Sequence, residues 1–570
     1  MIKLSKKYLR SHIVELIIAP IFKILEVIFE LMVPLIVANI IDKGLNEGLG
    51  TQYIVYQGII LFVLAIVGFS STMVCQVIAS KLASNFRYEV TRDMYKHINT
   101  LSCKEIDELG VSSLQTRINN DALTCEKGMA LGIRMIIRWP VLVIGCTIMA
   151  FIVSPSIGGI FILVGLLIGG VIFFVSRVTI KRNRVVQKET DVISNITKEN
   201  LSGARVIRAF NKENYERERF DKEINSLNKT QTSLGFSQSF LAPLTTIFTN
   251  LAILLIVYLG GFKVNIGNLT QGNITSLVSY MTQISLAVVV VGDLTLNLSK
   301  ASVSAKRILE IFNTKTSIVS GNVIPTEQTK VVEFKDVTFG YNSKSSVLKN
   351  ISFSVDQKEV IGIIGGTGSG KTSLVDLIMR FYDVNEGEVL VNGENVKNID
   401  LNYLHNYISL VSQKATLFKG TIRENLNFRN REASDEELYR ALEIAQAKDV
   451  VFSKKDGLDS LVSEEGKNFS GGQRQRLSIA RALVNDPKVI ILDDSSSALD
   501  YKTDLNLRKA LKDLDATVFI ISQRAASLKH ADKILVLDEG KLIATGTHEE
   551  LVDKCELYKE ICDSQDERGN

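Results

Sequence analysis

Six stretches of the sequence, approximately 13–41, 53–80, 128–152, 155–177, 236–262 and 270–296, are apolar over the roughly 20 residues that a helix needs to cross a hydrocarbon layer. Inside lipid every backbone N–H and C=O must be paired within its own segment, so these runs are read as helices. Their spacing is uneven. Runs one and two, three and four, and five and six are joined by short links such as Ser154-Pro155-Ser156. About 50–60 polar residues of helical pattern separate run two from three, and run four from five.

Charge orients the bundle. Lys3, Lys6, Lys7 and Arg10, the 81–127 segment (Lys81, Arg87, Arg92, Lys96, Lys104, Arg117) and the 178–229 segment (Lys181, Arg182, Arg184, Arg205, Arg208, Arg217, Arg219) all fall on one side. By the positive-inside rule that side is cytoplasmic, and both termini lie there. The basic N-terminus leads into the first run with no small-residue cleavage site after it, so the run is expected to stay as an anchor. The turns at 113–121 (SLQTRINND) and 203–210 (GARVIRAF) would sit at the tips of the two long extensions, where another domain could push on them.

A 46% hydrophobic content and a formal charge of +4 average over two unlike halves. Residues 1–314 are expected to form the membrane domain, with 301–313 continuing helically out of run six. A polar linker containing Pro325 follows, and the strand-rich VVEFKDVTFGY then opens a soluble α/β domain over 315–570. No basic stripe with interleaved aromatics argues for nucleic acid. Cys75, Cys103, Cys125, Cys146, Cys555 and Cys562 are scattered without CxxC or zinc spacing and read as small buried or lipid-facing residues.

Three motifs carry chemistry. Residues 365–372, GGTGSGKT, fit the P-loop pattern after the apolar strand 360–364 and before a helix starting near Ser373. Gly365, Gly366, Thr367, Gly368, Ser369 and Gly370 bring backbone N–H groups toward phosphate oxygens at a helix N-terminus. Lys371 is expected to reach the β- and γ-phosphates, the Thr372 hydroxyl to ligate Mg²⁺, and Ser373 to complete the nucleotide-binding residues. About 120 residues on, Val489–Asp493 is an apolar strand ending in a carboxylate, a Walker B segment in which Asp493 would hold the metal. Ser470, Gly471, Gly472 and Gln473, in FSGGQRQRLSIARAL, open an amphipathic helix and make a second anion site. One domain would then have two phosphate sites and a single P-loop, so the second must face another molecule's nucleotide.

On these residues the sequence resembles the ABC transporter family, in particular its exporter-type half-transporters, over essentially all of its length. FSGGQ resembles the signature loop. Tyr341 matches the aromatic that stacks on adenine. Gln413, in LVSQKATLF, matches the Q-loop glutamine that reaches the metal and the attacking water, and 497–500 (SALD) resembles the D-loop. The turns at 113–121 and 203–210 resemble the coupling helices. The resemblance implies a six-helix transmembrane domain with long cytoplasmic helical extensions, followed by an α/β P-loop ATP-binding domain that uses ATP and Mg²⁺. Two such domains close head to tail, each P-loop facing the other's signature loop.

Two positions depart from the family pattern. The residue after the Walker B aspartate, normally the glutamate that serves as general base, is Asp494, one methylene shorter. A misplacement of roughly 1 Å costs on the order of a hundredfold in rate. The switch histidine expected after Thr517–Ile521 is replaced by Gln523, which donates a hydrogen bond but cannot become cationic or relay a proton. With the signature loop intact, the combination resembles the degenerate-site subunit of bacterial heterodimeric exporters. The implied partner is a second half-transporter that carries the glutamate and histidine.

The resemblance implies a multi-pass protein of the cytoplasmic membrane that exports hydrophobic or amphipathic drugs, lipids or peptides. With no peptidase-like segment ahead of run one, processing of leader peptides is not expected. The rival readings are a slow homodimer that uses Asp494 and Gln523 twice, an importer on the exporter fold for siderophore- or porphyrin-like cargo, and a non-transporting regulatory or channel subunit. Within run one, Lys23, Glu26 and Glu30 are ionisable, and Asp293 lies near the end of run six. Such residues face a cavity or a partner helix. Glu30 and Asp293 are read either as attracting cationic amphiphiles or as pairing with Lys23, the partner chain or water.

Overall fold

The computed structural model describes residues 2–341, 345–495 and 498–566, with backbone only at 2, 288–289, 291–293, 295–296 and 566. The Asp293 side chain and Ser497 of the expected D-loop therefore lie outside the described residues. The chain divides into two compact units: Met1–Asn99 with Val111–Thr314, and Thr100–Gly110 with Lys315–Asn570.

The elements of the first unit are, among the described residues, all helices. Among the described residues, Arg10–Asn46, Gly50–Ile98, Val111–Val153, Pro155–Ser202 and Glu213–Asn265 are long and apolar enough to cross a membrane. The sixth expected run lies in the continuous helix Gln271–Asn313, several of whose side chains are outside the description. Gly50–Ile98 and Pro155–Ser202 hold 49 and 48 residues. At 1.5 Å per residue each runs about 70 Å, more than twice the roughly 30 Å of hydrocarbon. The helices thus continue well past the apolar runs, as the polar helical pattern between runs predicts. Pro155 starts its helix at N1, directly after Ser154 in an extended conformation, which makes the tight link.

Val27, Leu142, Cys146, Phe161, Ile168, Leu277 and Tyr280 pack inside the bundle. Phe62, Phe69, Leu166 and Phe174 stay exposed, as a lipid-facing surface requires. The ionisable residues of span one are paired. Lys23 Nζ is 2.5 Å from Glu26 Oε2, and Arg138 of the third span bridges Glu26 and Glu30, reaching Glu30 Oε2 at 3.1 Å. Glu30 therefore has a cationic partner within the chain, and it is Arg138, which the sequence reading had not singled out.

The turn at 113–121 is helical and belongs to the first unit. Arg117 pairs with Glu310 at 2.7 Å, and Ser304 Oγ donates to Asp121 Oδ1 at 2.8 Å, which ties the turn to the helix Gln271–Asn313. In the same extension, Thr100–Gly110 is grouped with the second unit. Its helix Cys103–Leu109 starts with a Ser102/Glu105 capping box. Glu105 Oε1 accepts from the Ser317 backbone N–H at 3.2 Å, and Tyr382 donates to Asp107 Oδ2 at 2.7 Å.

In the second unit a six-stranded sheet runs in the order Lys541–Gly546, Lys533–Asp538, Val360–Gly365, Thr517–Ile521, Val489–Asp493, Ile408–Val411, parallel except for the first pair. Val360–Gly365, Val489–Asp493 and Thr517–Ile521 are almost fully buried runs, the pattern of parallel strands covered on both faces. Ile361, Ile363, Leu374 and Phe519 pack on one side with the antiparallel sheet that includes Lys330–Phe339. Ile364, Ile479, Leu492 and Val518 pack on the other with the helix Gly471–Leu483. The three adjacent central strands end together, and each hands its next residues to one site.

Candidate nucleotide site

The P-loop strand ends at Gly365, where a Cβ would stand 2.1 Å from Leu537 O, and the loop turns through Gly368 (φ +83°) and Gly370 (φ +98°). Those two left-handed positions admit glycine at no steric cost. Gly370 caps the helix Lys371–Ile378. Lys371 Nζ folds back over the loop to Gly366 O at 2.7 Å and Gly365 O at 2.9 Å. Burial pulls its ammonium below the usual lysine range, while Asp493 and Asp494 act in the opposite sense.

Thr372 Oγ1 donates to Asp493 Oδ2 at 3.1 Å. Asp493 is buried, and that burial raises its carboxyl pKa against the pull of the Thr372 hydrogen bond. The adjoining hydroxyl and carboxylate are hard oxygen donors of the kind Mg²⁺ takes, so the residues present fit that ion. Asp494 follows with φ +44°, a left-handed conformation that aspartate tolerates better than most side chains. Its backbone N–H donates to Ile521 O at 3.0 Å. Gln413, just past the strand Ile408–Val411, donates from Nε2 to Asp494 Oδ2 at 3.3 Å. Gln523 follows the strand Thr517–Ile521 by two residues and is exposed.

Tyr341 is 43% exposed, and its hydroxyl lies 3.0 Å from Ser373 Oγ. Tyr382 meets it edge-on at 5.1 Å. Sequence reasoning missed Tyr382 and also Asp376, whose carboxyl is pushed up to about 6 by burial and then by Asp493. No local pattern marks either residue. The Ser102-x-x-Glu105 capping box, in contrast, was a readable sign of the helix beside Tyr382.

The structure brings the P-loop, Asp493, Asp494 and Gln413 together. The signature residues form a separate feature. Ser470 caps the helix Gly471–Leu483, its hydroxyl accepting from Gln473 N at 3.3 Å while Gln473 Oε1 accepts from Ser470 N at 3.0 Å. Ser470 and Gly471 are exposed.

The comparisons with known proteins agree with this geometry. A family model described as ABC transporter transmembrane region matches residues 16–288, and one described as ABC transporter matches 348–497. The uncharacterized ABC transporter ATP-binding protein YfiB of Bacillus subtilis is 32% identical over 552 residues, 96% of each chain. The chain belongs to the ABC transporters. Among its relatives, RT0691 of Rickettsia typhi, named as an export ATP-binding/permease protein, is 30% identical over 571 residues, 98% of each chain. A bacterial Atm1-family ABC exporter, solved with ATP bound, superposes with a TM-score of 0.83 over 98% of this transporter and 99% of that chain, at 20% identity. The transporter thus has the exporter fold, a multi-pass helical domain followed by an ATP-binding domain.

Proposed function

We propose that this transporter chain is the weakly hydrolytic half of a heterodimeric exporter in the cytoplasmic membrane. Its own P-loop holds ATP without rapid turnover, and its signature loop completes the partner's catalytic site. The carrying observation is Asp494: the carboxylate in the general-base position is the short one, and it is already engaged by Gln413 at 3.3 Å. Gln523 in the switch position removes the proton-relaying imidazole as well.

In this reading Lys371 and the loop amides hold the phosphates, and Tyr341 stacks on the base. Thr372, Asp493 and Gln413 hold magnesium, which neutralises charge on the phosphate oxygens when bound. Exposed Ser470 and Gly471 present their helix N-terminus to nucleotide on the partner's P-loop. Exposed Val206 and Phe210 around the short helix Ala204–Ala209 are apolar groups that a partner would cover. ATP closes the ATP-binding domains and turns the cavity outward, and hydrolysis at the partner's site resets it. Aliphatic spans and a lipid-facing surface suit hydrophobic or amphipathic cargo, namely drugs, lipids or peptides.

The test is ATP hydrolysis and ATP-binding stoichiometry for the chain alone in lipid nanodiscs, repeated with the partner co-expressed. Bound ATP without turnover, rescued by the partner, supports the reading. Brisk turnover alone means a homodimeric pump.

A further inference from the structure

The loop that carries Gln523 is tied to its own domain at several points. Its Ser522 N–H donates to Ile363 O of the P-loop strand at 3.1 Å. At its far end Arg508 donates to the Ser527 carbonyl. Between them, the two peptides that follow Gln523, on either side of Arg524, are gripped by one side chain from the far end of the sequence. Gln565 Nε2 donates to Gln523 O at 2.7 Å, and Ala525 N–H donates to Gln565 Oε1 at 2.8 Å. Both halves of one planar amide are used, so the clamp fixes orientation as well as distance.

Gln565 sits on the C-terminal helix Glu556–Asp566, which is firmly anchored. Tyr558 is fully buried, its hydroxyl lies 2.9 Å from His548 Nδ1, and Ile561 and Leu557 pack on the domain core. Gln523 itself is exposed, so the direction of its side chain is set by its backbone rather than by packing.

We propose that Gln565 is a positioning residue for Gln523, and that through this clamp the C-terminal helix sets how strongly the transporter's own site prefers ATP over ADP. The inference rests on reading Gln523 as the residue that faces the γ-phosphate. A loosened loop would weaken the contact that only a triphosphate offers, while the contacts of Lys371 and Tyr341 serve both nucleotides.

The experiment measures equilibrium binding of ATPγS and ADP to the full chain in nanodiscs, for the native protein, Gln565→Ala, Gln565→Asn, Gln523→Ala and the Gln523→Ala/Gln565→Ala pair. Gln565→Ala is expected to lower ATPγS affinity roughly fivefold to tenfold, a partial loss of the charge-assisted hydrogen bond from Gln523 to the γ-phosphate, with ADP affinity unchanged. Gln565→Asn, with the amide one methylene short, should behave alike. In the Gln523→Ala background the Gln565 change should have no further effect, because the two act as one unit. Equal losses for both nucleotides, unchanged ATPγS affinity, or additivity of the pair would overturn the proposal. If Gln523→Ala itself leaves the ATPγS-to-ADP ratio unmoved, the underlying reading of the switch position fails instead.

Discussion

Gln413 Nε2 lies 3.3 Å from Asp494 Oδ2, so the amide expected to meet the attacking water is already hydrogen-bonded to the carboxylate expected to activate it. Glutamate at 494 would carry its carboxylate one methylene further toward the nucleotide. Asp494→Glu is therefore expected to raise ATP turnover of the chain about tenfold, and Asp494→Glu with Gln523→His about a hundredfold, which phosphate-release assays in nanodiscs would read. No gain from the double change would remove these two positions as the cause of weak hydrolysis.

Lys371 spans Gly365 O and Gly366 O and is drawn into a partly buried position. Charge-assisted contacts of such a group to phosphate are worth about 1.5–3 kcal/mol. Lys371→Ala should weaken ATP binding roughly 10- to 150-fold in a fluorescent-nucleotide titration. Folding, followed by thermal unfolding, should be little affected.

Asp376 has its carboxyl raised to about 6, by burial first and Asp493 second. A carboxyl raised on folding binds a proton that the unfolded chain has released, so stability falls as pH rises from about 4 to about 6 and stays lower above that window. Asp376→Asn should flatten this slope and stabilise the ATP-binding unit at pH 7, by at most about 3 kcal/mol for a shift of about two units in a partly buried group. Thermal unfolding between pH 4.5 and 7.5 would show it, and a variant that is less stable than the native protein at pH 7 would contradict it.

The cluster of Lys23, Glu26, Arg138 and Glu30 is structural by geometry. Arg138→Leu leaves two carboxylates with one lysine, a loss of about 3–5 kcal/mol for a buried pair. Lower yield and a lower unfolding midpoint in detergent are expected. Glu30→Gln, which keeps the shape and a hydrogen-bonding oxygen, should leave transport of cationic substrates unchanged. A selective loss of cationic transport would restore a substrate-attracting role.

Short-range physics was legible in the sequence. The apolar runs specify helices because lipid leaves no alternative, and the Gly368 and Gly370 turns, the Walker B strand and the Ser470 cap are each written in a few consecutive residues. Pairings at long separation were not. Arg138 meets Glu30 across 108 residues, Tyr382 meets Asp107 across 275, and Gln565 meets Gln523 across 42. Helical pattern places each of these residues on an element but says nothing of what faces it. The left-handed turn at Asp494 was hidden too, since aspartate occurs in both conformations.

The most direct test of the central claim is the identity of the nucleotide that stays on this chain during turnover. With the partner present and substrate cycling, photo-crosslinking of a radiolabelled azido-ATP to this subunit, followed by chromatography of the released nucleotide, should recover mainly triphosphate over many turnovers of the complex. Recovery of diphosphate on this subunit at the rate of overall turnover would contradict the account, because Asp494 and Gln523 would then be supporting hydrolysis as well as the partner's site does.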